Sequence, residues 1–240
     1  MDKATTEPTT TFDFGDGAVP ARRHTNPDGD PGGWVAATAH VSKTAWVADT
    51  AVVYGDAHVS GTARIFGAAM VFGKARVAGD ALASGTAMVF GNARLYDDAR
   101  LYGDARLYGD AKISEDAQVS GNVHVADNAK ISGNVHVYSN VHVSGNAKIS
   151  EDAQVFGNAK ITGNAKITGK ARVAGKARVA GDARIEGNAL VSGNVHVSGT
   201  AKVYGTAHVF GNTWISGNAR VSEDAHVEAV NAIASGVTVI

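Results

Sequence analysis

An aliphatic residue recurs every six positions along most of this chain. From Val35 to Val239 the series runs without an insertion, beginning Val35, Val41, Val47, Val53, Val59, Ile65 and ending Val221, Val227, Ile233, Val239. Of 35 such positions, 34 hold Val, Ile or Leu, and Ala83 is the exception. The unit reads A-x-V-x-G-N, as in Ala165-Lys166-Ile167-Thr168-Gly169-Lys170. Residues two apart on an extended chain point to the same side. Each Ala and its aliphatic therefore face inward, and the residues flanking the aliphatic face outward. Gly followed by Asn or Asp tolerates positive φ and breaks the strand. The pattern predicts a four-residue strand and a two-residue corner per hexad. One hexad cannot bury its own apolar pair, but stacked coils can, with hydrogen bonds running along the axis.

The number of hexads per coil is read from the outward residue that precedes each aliphatic. Every third hexad gives His40, His58, Arg76, Arg94, Lys112, Lys130, Lys148, Lys166, Arg184, Lys202 and Arg220, all of them His, Arg or Lys. The two interleaved series are mixed. A coherent column at a spacing of 18 predicts three hexads per coil: an all-β, single-stranded parallel β-helix, a triangular solenoid of about 11 coils stacked at roughly 4.8 Å. The three faces are named here by their first aliphatic: face one from Val35, face two from Val41, face three from Val47.

Residues 1–33 stand outside the repeat and hold all four prolines (Pro8, Pro20, Pro27, Pro31). They are expected to form a short irregular cap ahead of a β-helix over 34–240, with a loose acidic arm as the alternative. The stretch Met1–Phe14 has no apolar core, so no secretory signal is expected. No run reaches the roughly 18 apolar residues of a membrane span. A cytoplasmic location is expected. The net charge of −1 sets up no global field towards nucleic acid or membrane. With no cysteine in the chain, disulfides and thiolate metal sites are excluded.

These hexads resemble the left-handed β-helix, hexapeptide-repeat superfamily over residues 35–239, and the left hand of the helix is implied by that resemblance. The regular G-N-A-R-V-S style, the Trp34-Val35-Ala36 start and the segments Phe12–Pro20 and Arg23-His24 are similar to uncharacterised repeat proteins of phage and prophage genomes. That similarity carries no activity, and it implies the host cytoplasm or a virion as the location. The superfamily's known enzymes are acyltransferases, with a catalytic His and a loop that shapes a cleft between subunits, and gamma-class carbonic anhydrases, which gather three His across an interface with two of them five apart. This chain departs from both: the six-residue interval is never interrupted, and no two His lie five apart.

Nine histidines nevertheless raise the question of a metal. His124 and His142 share face one and His136 lies on another face, while His196, His208 and His226 lie further along. Zinc needs three or four converging ligands. An exposed strand position that tolerates His is the plainer reading, and no metal, no cofactor and no catalytic residue are expected.

Two outward surfaces stand out. Face two carries the basic column, a candidate anion-binding row of His58, Arg76, Arg94, Lys112, Lys130, Lys148, Lys166, Arg184, Lys202 and Arg220. The acidic corners that follow it, Asp97-Asp98, Glu115-Asp116 and Glu151-Asp152 among them, could neutralise it locally. Face one is apolar over its first coils: Trp34, Val52, Met70 and Met88 form one column, and Tyr54, Phe72, Phe90 and Tyr108 form the other. An apolar patch of this size calls for a cover. The candidates are a second copy, another protein partner, or residues 1–33 folding back. The last coil, Ile233–Ile240, has no polar cap and is a further candidate for self-association. Scattered aromatics on face three (Phe66, Tyr102, Tyr138, Phe156, Phe210) imply no function, and regular outward Thr columns of an ice-binding kind are absent. The sequence thus favours a non-catalytic structural or protein-interaction solenoid that self-associates in a homo-oligomer. The alternatives are a binder of an anionic ligand or polymer and an acyltransferase or metal-dependent enzyme.

Overall fold

The structure, a computed structural model, describes residues 10–228 and 232–240. Five strands open the fold: β1 (Thr11–Asp13), β2 (Ala18–Thr25), β3 (Pro31–Ala36), β4 (His40–Val41) and β5 (Trp46–Val47). From β3 onward each strand pairs in parallel with the strand 18 residues later, as in Trp34↔Val52, His40↔His58 and Trp46↔Arg64. The described strands form three sheets of 14, 12 and 11 strands, one per face. The expected solenoid of three hexads per coil and about 11 coils is therefore the observed one.

Inside, one continuous apolar column fills the prism. Leu95, Leu101, Leu107, Ile113, Ile131 and Ile149 have no solvent exposure, and the Ala positions between them are equally closed. Ala83 is buried between Ile65 and Leu101 in its own column. Thr213 stands where an Ala is usual; its buried hydroxyl donates to Phe210 O at 2.8 Å. Among the described residues no helix is long and apolar enough to cross a membrane.

Two local details differ from the sequence expectation. The laddered part of most hexads is two residues long, as in Arg76–Val77. The flanking residues still exchange bonds between coils, His58 N–H donating to Ala75 O and Ser60 N–H to Val77 O, each at 2.9 Å. The corner is also divided differently. From Gly55 to Glu223 the positive φ falls on the fifth residue of the hexad (Gly145, φ 72°), not on the Asn or Asp that follows. The sixth residues instead bond to one another along the axis: Asn146 Nδ2 donates to Asn164 Oδ1 at 3.0 Å, and Asn164 Nδ2 to Asp182 Oδ1 at 2.9 Å.

The segment ahead of the repeat is built as a cap. β1 and β2 pair antiparallel, β2 pairs antiparallel with β3, and both thereby extend the face-one sheet beyond its first coil. The chain then lies across the open end of face three, where β5 is an edge strand. His24 Nε2–H donates to Ala45 O at 2.9 Å, Asn26 Oδ1 accepts Val47 N–H at 2.9 Å, and Arg23 donates to Asp49 O at 3.0 Å. Side chains thus replace the missing coil and satisfy the polar edge. Gly32 and Gly33 pass so close beneath this coil that a Cβ on either would collide with Val47 O or Ala51 O. At the far end Val237 is 44% and Ile240 79% exposed.

Candidate functional sites on two faces

The eight apolar residues of face one come together as two straight columns. Register pairs join Trp34 to Val52, Val52 to Met70 and Met70 to Met88, after which Arg106 ends the apolar run. In the other column Tyr54, Phe72, Phe90 and Tyr108 stack with centroids 4.8, 4.9 and 5.1 Å apart and planes within 7° of parallel. All eight are half-buried. The cap lengthens both columns: Phe12 stacks on Trp34 at 4.8 Å and Phe14 on Tyr54 at 4.9 Å. It adds rungs at the edge of the sheet, and no described residue outside the column stacks on the rings of Phe72 and Phe90. Among the described residues of the segment ahead of the repeat, 10–33, folding back reaches only the first rungs; residues 1–9 lie outside the described residues.

The cap also makes a hollow that the unbroken repeat gave no reason to expect. A cleft of about 380 Å³ lies between the hairpin and the first coils, lined by Phe14, Val19, Pro20, Ala36, Tyr54 and, at its rim, Asp16. Burial, with the Asp16 carboxylate nearby, raises the Tyr54 phenol above its ordinary pKa. The signal in the sequence was the pair Phe12 and Phe14, spaced two apart like the outward residues Trp34 and Ala36 that flank Val35.

On face two every member of the basic column lies in direct register with the next, from His40↔His58 through Arg94↔Lys112, Lys112↔Lys130 and Lys130↔Lys148 to Lys202↔Arg220. Two of the corner carboxylates have backbone partners of their own. Asp97 Oδ2 accepts Glu115 N–H at 3.3 Å, and Glu151 Oε2 accepts Gly169 N–H at 2.8 Å. These carboxylates serve the corner backbone, whose residues Asp97, Glu115 and Glu151 hold positive φ without being Gly. Among the described residues the one ion pair is Arg184 with Glu186, at 3.8 Å on a half-exposed site. A groove of about 360 Å³ runs beside the column between Arg94, Lys112, Lys130 and Lys148 on one side and Asn92, Asp110, Asn128 and Asn146 on the other.

The histidines separate as their positions imply. His124 and His142 stack with centroids 4.9 Å apart, while His136 belongs to the face-three sheet. Burial lowers the pKa of His124, with His142 and Arg106 adding to the effect; burial and then Arg178 lower that of His196. Among the described residues no three His, Asp or Glu side chains gather as a metal site. On face three Tyr138 stacks on Phe156 at 4.9 Å.

No protein-family model matches the sequence, and no curated protein does. Solved structures do match. The acetyltransferase domain of PglB from Neisseria gonorrhoeae, in complex with acetyl coenzyme A, is 18% identical over 44% of this chain, with a TM-score of 0.39, and this chain spans 50% of it. The UDP-N-acetylglucosamine acyltransferase from Campylobacter jejuni is 18% identical over 73% of this chain and 67% of its own, with a TM-score of 0.40. That from Moraxella catarrhalis is 14% identical over 74% of this chain and 71% of its own, with a TM-score of 0.33. Likenesses this distant carry no argument of their own, and the coils themselves give the architecture: a parallel β-solenoid of three hexads per turn.

Proposed function

We propose that this chain is a non-catalytic structural solenoid that associates with a second copy of itself through the apolar part of face one. The observation that carries the reading is the straight ladder of Tyr54, Phe72, Phe90 and Tyr108 beside Val52, Met70 and Met88, which the cap lengthens but leaves half-open. A flat, regular strip suits a twofold arrangement, because it is complementary to itself when turned over. Contiguous apolar strips rimmed by polar residues are the usual mark of such contacts. The strip ends where Arg106 and His124 enter the first column, so the contact is confined to the early coils and the rest of the rod stays solvated. In this reading no residue of the chain is catalytic. If the similarity to phage repeat proteins holds, the rod is a spacer or attachment module of a virion or of the infected cytoplasm.

The test is absolute mass in solution by light scattering, at low and high salt, for the full chain and for Phe72→Glu/Phe90→Glu. A dimer insensitive to salt that becomes a monomer in the double variant, with an unchanged circular dichroism spectrum, supports the reading. A monomeric parent chain overturns it and makes a foreign protein the candidate occupant.

A further inference from the structure

We propose that the groove on face two binds an acidic polysaccharide laid along the solenoid axis, with its carboxylate or sulfate groups on Arg94, Lys112, Lys130 and Lys148. This is independent of self-association, which uses a different face.

The groove is a row of cations held in place by the fold. Each coil adds one cation in direct register with the last, at the strand spacing of roughly 4.8 Å. Like charges about 4 Å apart repel by about 1 kcal/mol in water, and like charges directly opposite weaken a sheet. One carboxylate, Asp110, lines the groove against these four cations, and the corner carboxylates of Asp97 and Glu151 are bonded to backbone N–H groups. A linear polyanion would relieve every pair at once.

The opposite wall supplies hydrogen bonds. It carries Asn92, Asn128 and Asn146 and a single carboxylate, Asp110, which accepts Asn92 Nδ2–H at 3.1 Å. Each amide that donates along the ladder keeps a second N–H, and the carbonyl oxygens keep lone pairs, so the wall offers both donors and acceptors to hydroxyl groups. Cations on one side and amides on the other fit a polymer that carries both acids and hydroxyls.

The same geometry disfavours nucleic acid. None of the eight residues lining the groove is aromatic, so bases find no stacking platform. The cation row also keeps direct register from coil to coil on a single sheet. The phosphates of a duplex wind away from a straight row after a few contacts, whereas an extended polysaccharide advances by about one sugar per coil and can follow it.

The experiment uses the full chain and measures calorimetric binding of polygalacturonate at low and at high salt. Neutral dextran and single- and double-stranded DNA are tested alongside. Two variants remove the same number of charges, Lys112→Gln/Lys130→Gln/Lys148→Gln on face two and Arg64→Gln/Arg100→Gln/Arg172→Gln on face three, and both are checked for an unchanged circular dichroism spectrum. The expected result is binding of the uronate polymer that weakens as salt rises, falls by about tenfold or more in the face-two variant and is retained in the face-three variant. No binding at low salt, or an equal loss in both variants, overturns the proposal. So does tighter binding of DNA than of polygalacturonate, which would give the groove to nucleic acid.

Discussion

Asn26 Oδ1 accepts the backbone N–H of Val47 at 2.9 Å, and through that bond a residue outside the repeat closes the edge of the first coil. Both groups are buried. His24 and Arg23 meet the neighbouring carbonyls of Ala45 and Asp49 in the same way. Three side chains therefore do for the first coil of face three what the backbone of a preceding coil does further along the rod.

Replacing Asn26 with Ala leaves a buried N–H without its acceptor, at a cost of about 1–3 kcal/mol. The loss falls on the first coils, because a solenoid's stability is a sum over neighbouring units. Hydrogen exchange is expected to show faster exchange at Val47 and its neighbours, with the central coils unchanged. Uniform protection in the variant would assign the capping to β2 pairing alone.

The cap should loosen in acid. Burial holds His24 below its ordinary pKa, the bond to Ala45 opposes this, and Arg22 adds to the lowering. A folded-state pKa below the unfolded one means that the unfolded chain binds the proton more readily. The stability contributed is complete above about pH 6.5, the ordinary His value, and is lost as pH falls through 6.5 towards the folded-state value. His124 and His196 act in the same direction. Thermal unfolding from neutral pH down to about pH 5 should show a falling Tm, with a shallower fall in His24→Gln.

Glu151 sits at φ 66° and its carboxylate accepts Gly169 N–H at 2.8 Å. Glu151→Ala loses the bond and keeps the backbone strain, which for an L residue in this region is about 1–2 kcal/mol. Glu151→Gly loses the bond but removes the strain. Denaturant unfolding should therefore rank the parent and the Gly variant close together and the Ala variant lowest. An Ala variant as stable as the Gly variant would mean that the corner does not feel φ.

Leu101 pairs with Ala83, the one small residue in the aliphatic series. Leu101→Ala puts two alanines on adjacent rungs of a closed core and is expected to cost about 2–5 kcal/mol. Ile161→Val removes one methyl group from an intact column and should cost about 0.5–1.5 kcal/mol. Equal losses at the two sites would show that the prism collapses freely around a void.

How much of this was legible beforehand differs from feature to feature. The column from His40 to Arg220 was readable because a repeat of six with a coherent series at 18 leaves one way to stack the coils. The same count placed Trp34 to Met88 and Tyr54 to Tyr108 in two columns, since in a parallel in-register solenoid sequence separation is spatial separation. The cap was not readable in this way. Phe12, Phe14, His24 and Asn26 belong to no period, and their partners Trp34, Tyr54, Ala45 and Val47 are fixed only when the hairpin folds over the first coil. The fate of the corner carboxylates was equally hidden. Sequence placed Asp97 and Glu151 beside the basic face, but their carboxylates accept the N–H groups of Glu115 and Gly169 in the next corner, and only the packed coils bring those donors within reach. The sequence by itself thus determined the coil, the faces and the order of residues along each, because those follow from periodicity and strand alternation. The tertiary structure alone decided how the open end is sealed and which charges remain unpaired, because both depend on contacts between segments that share no repeat.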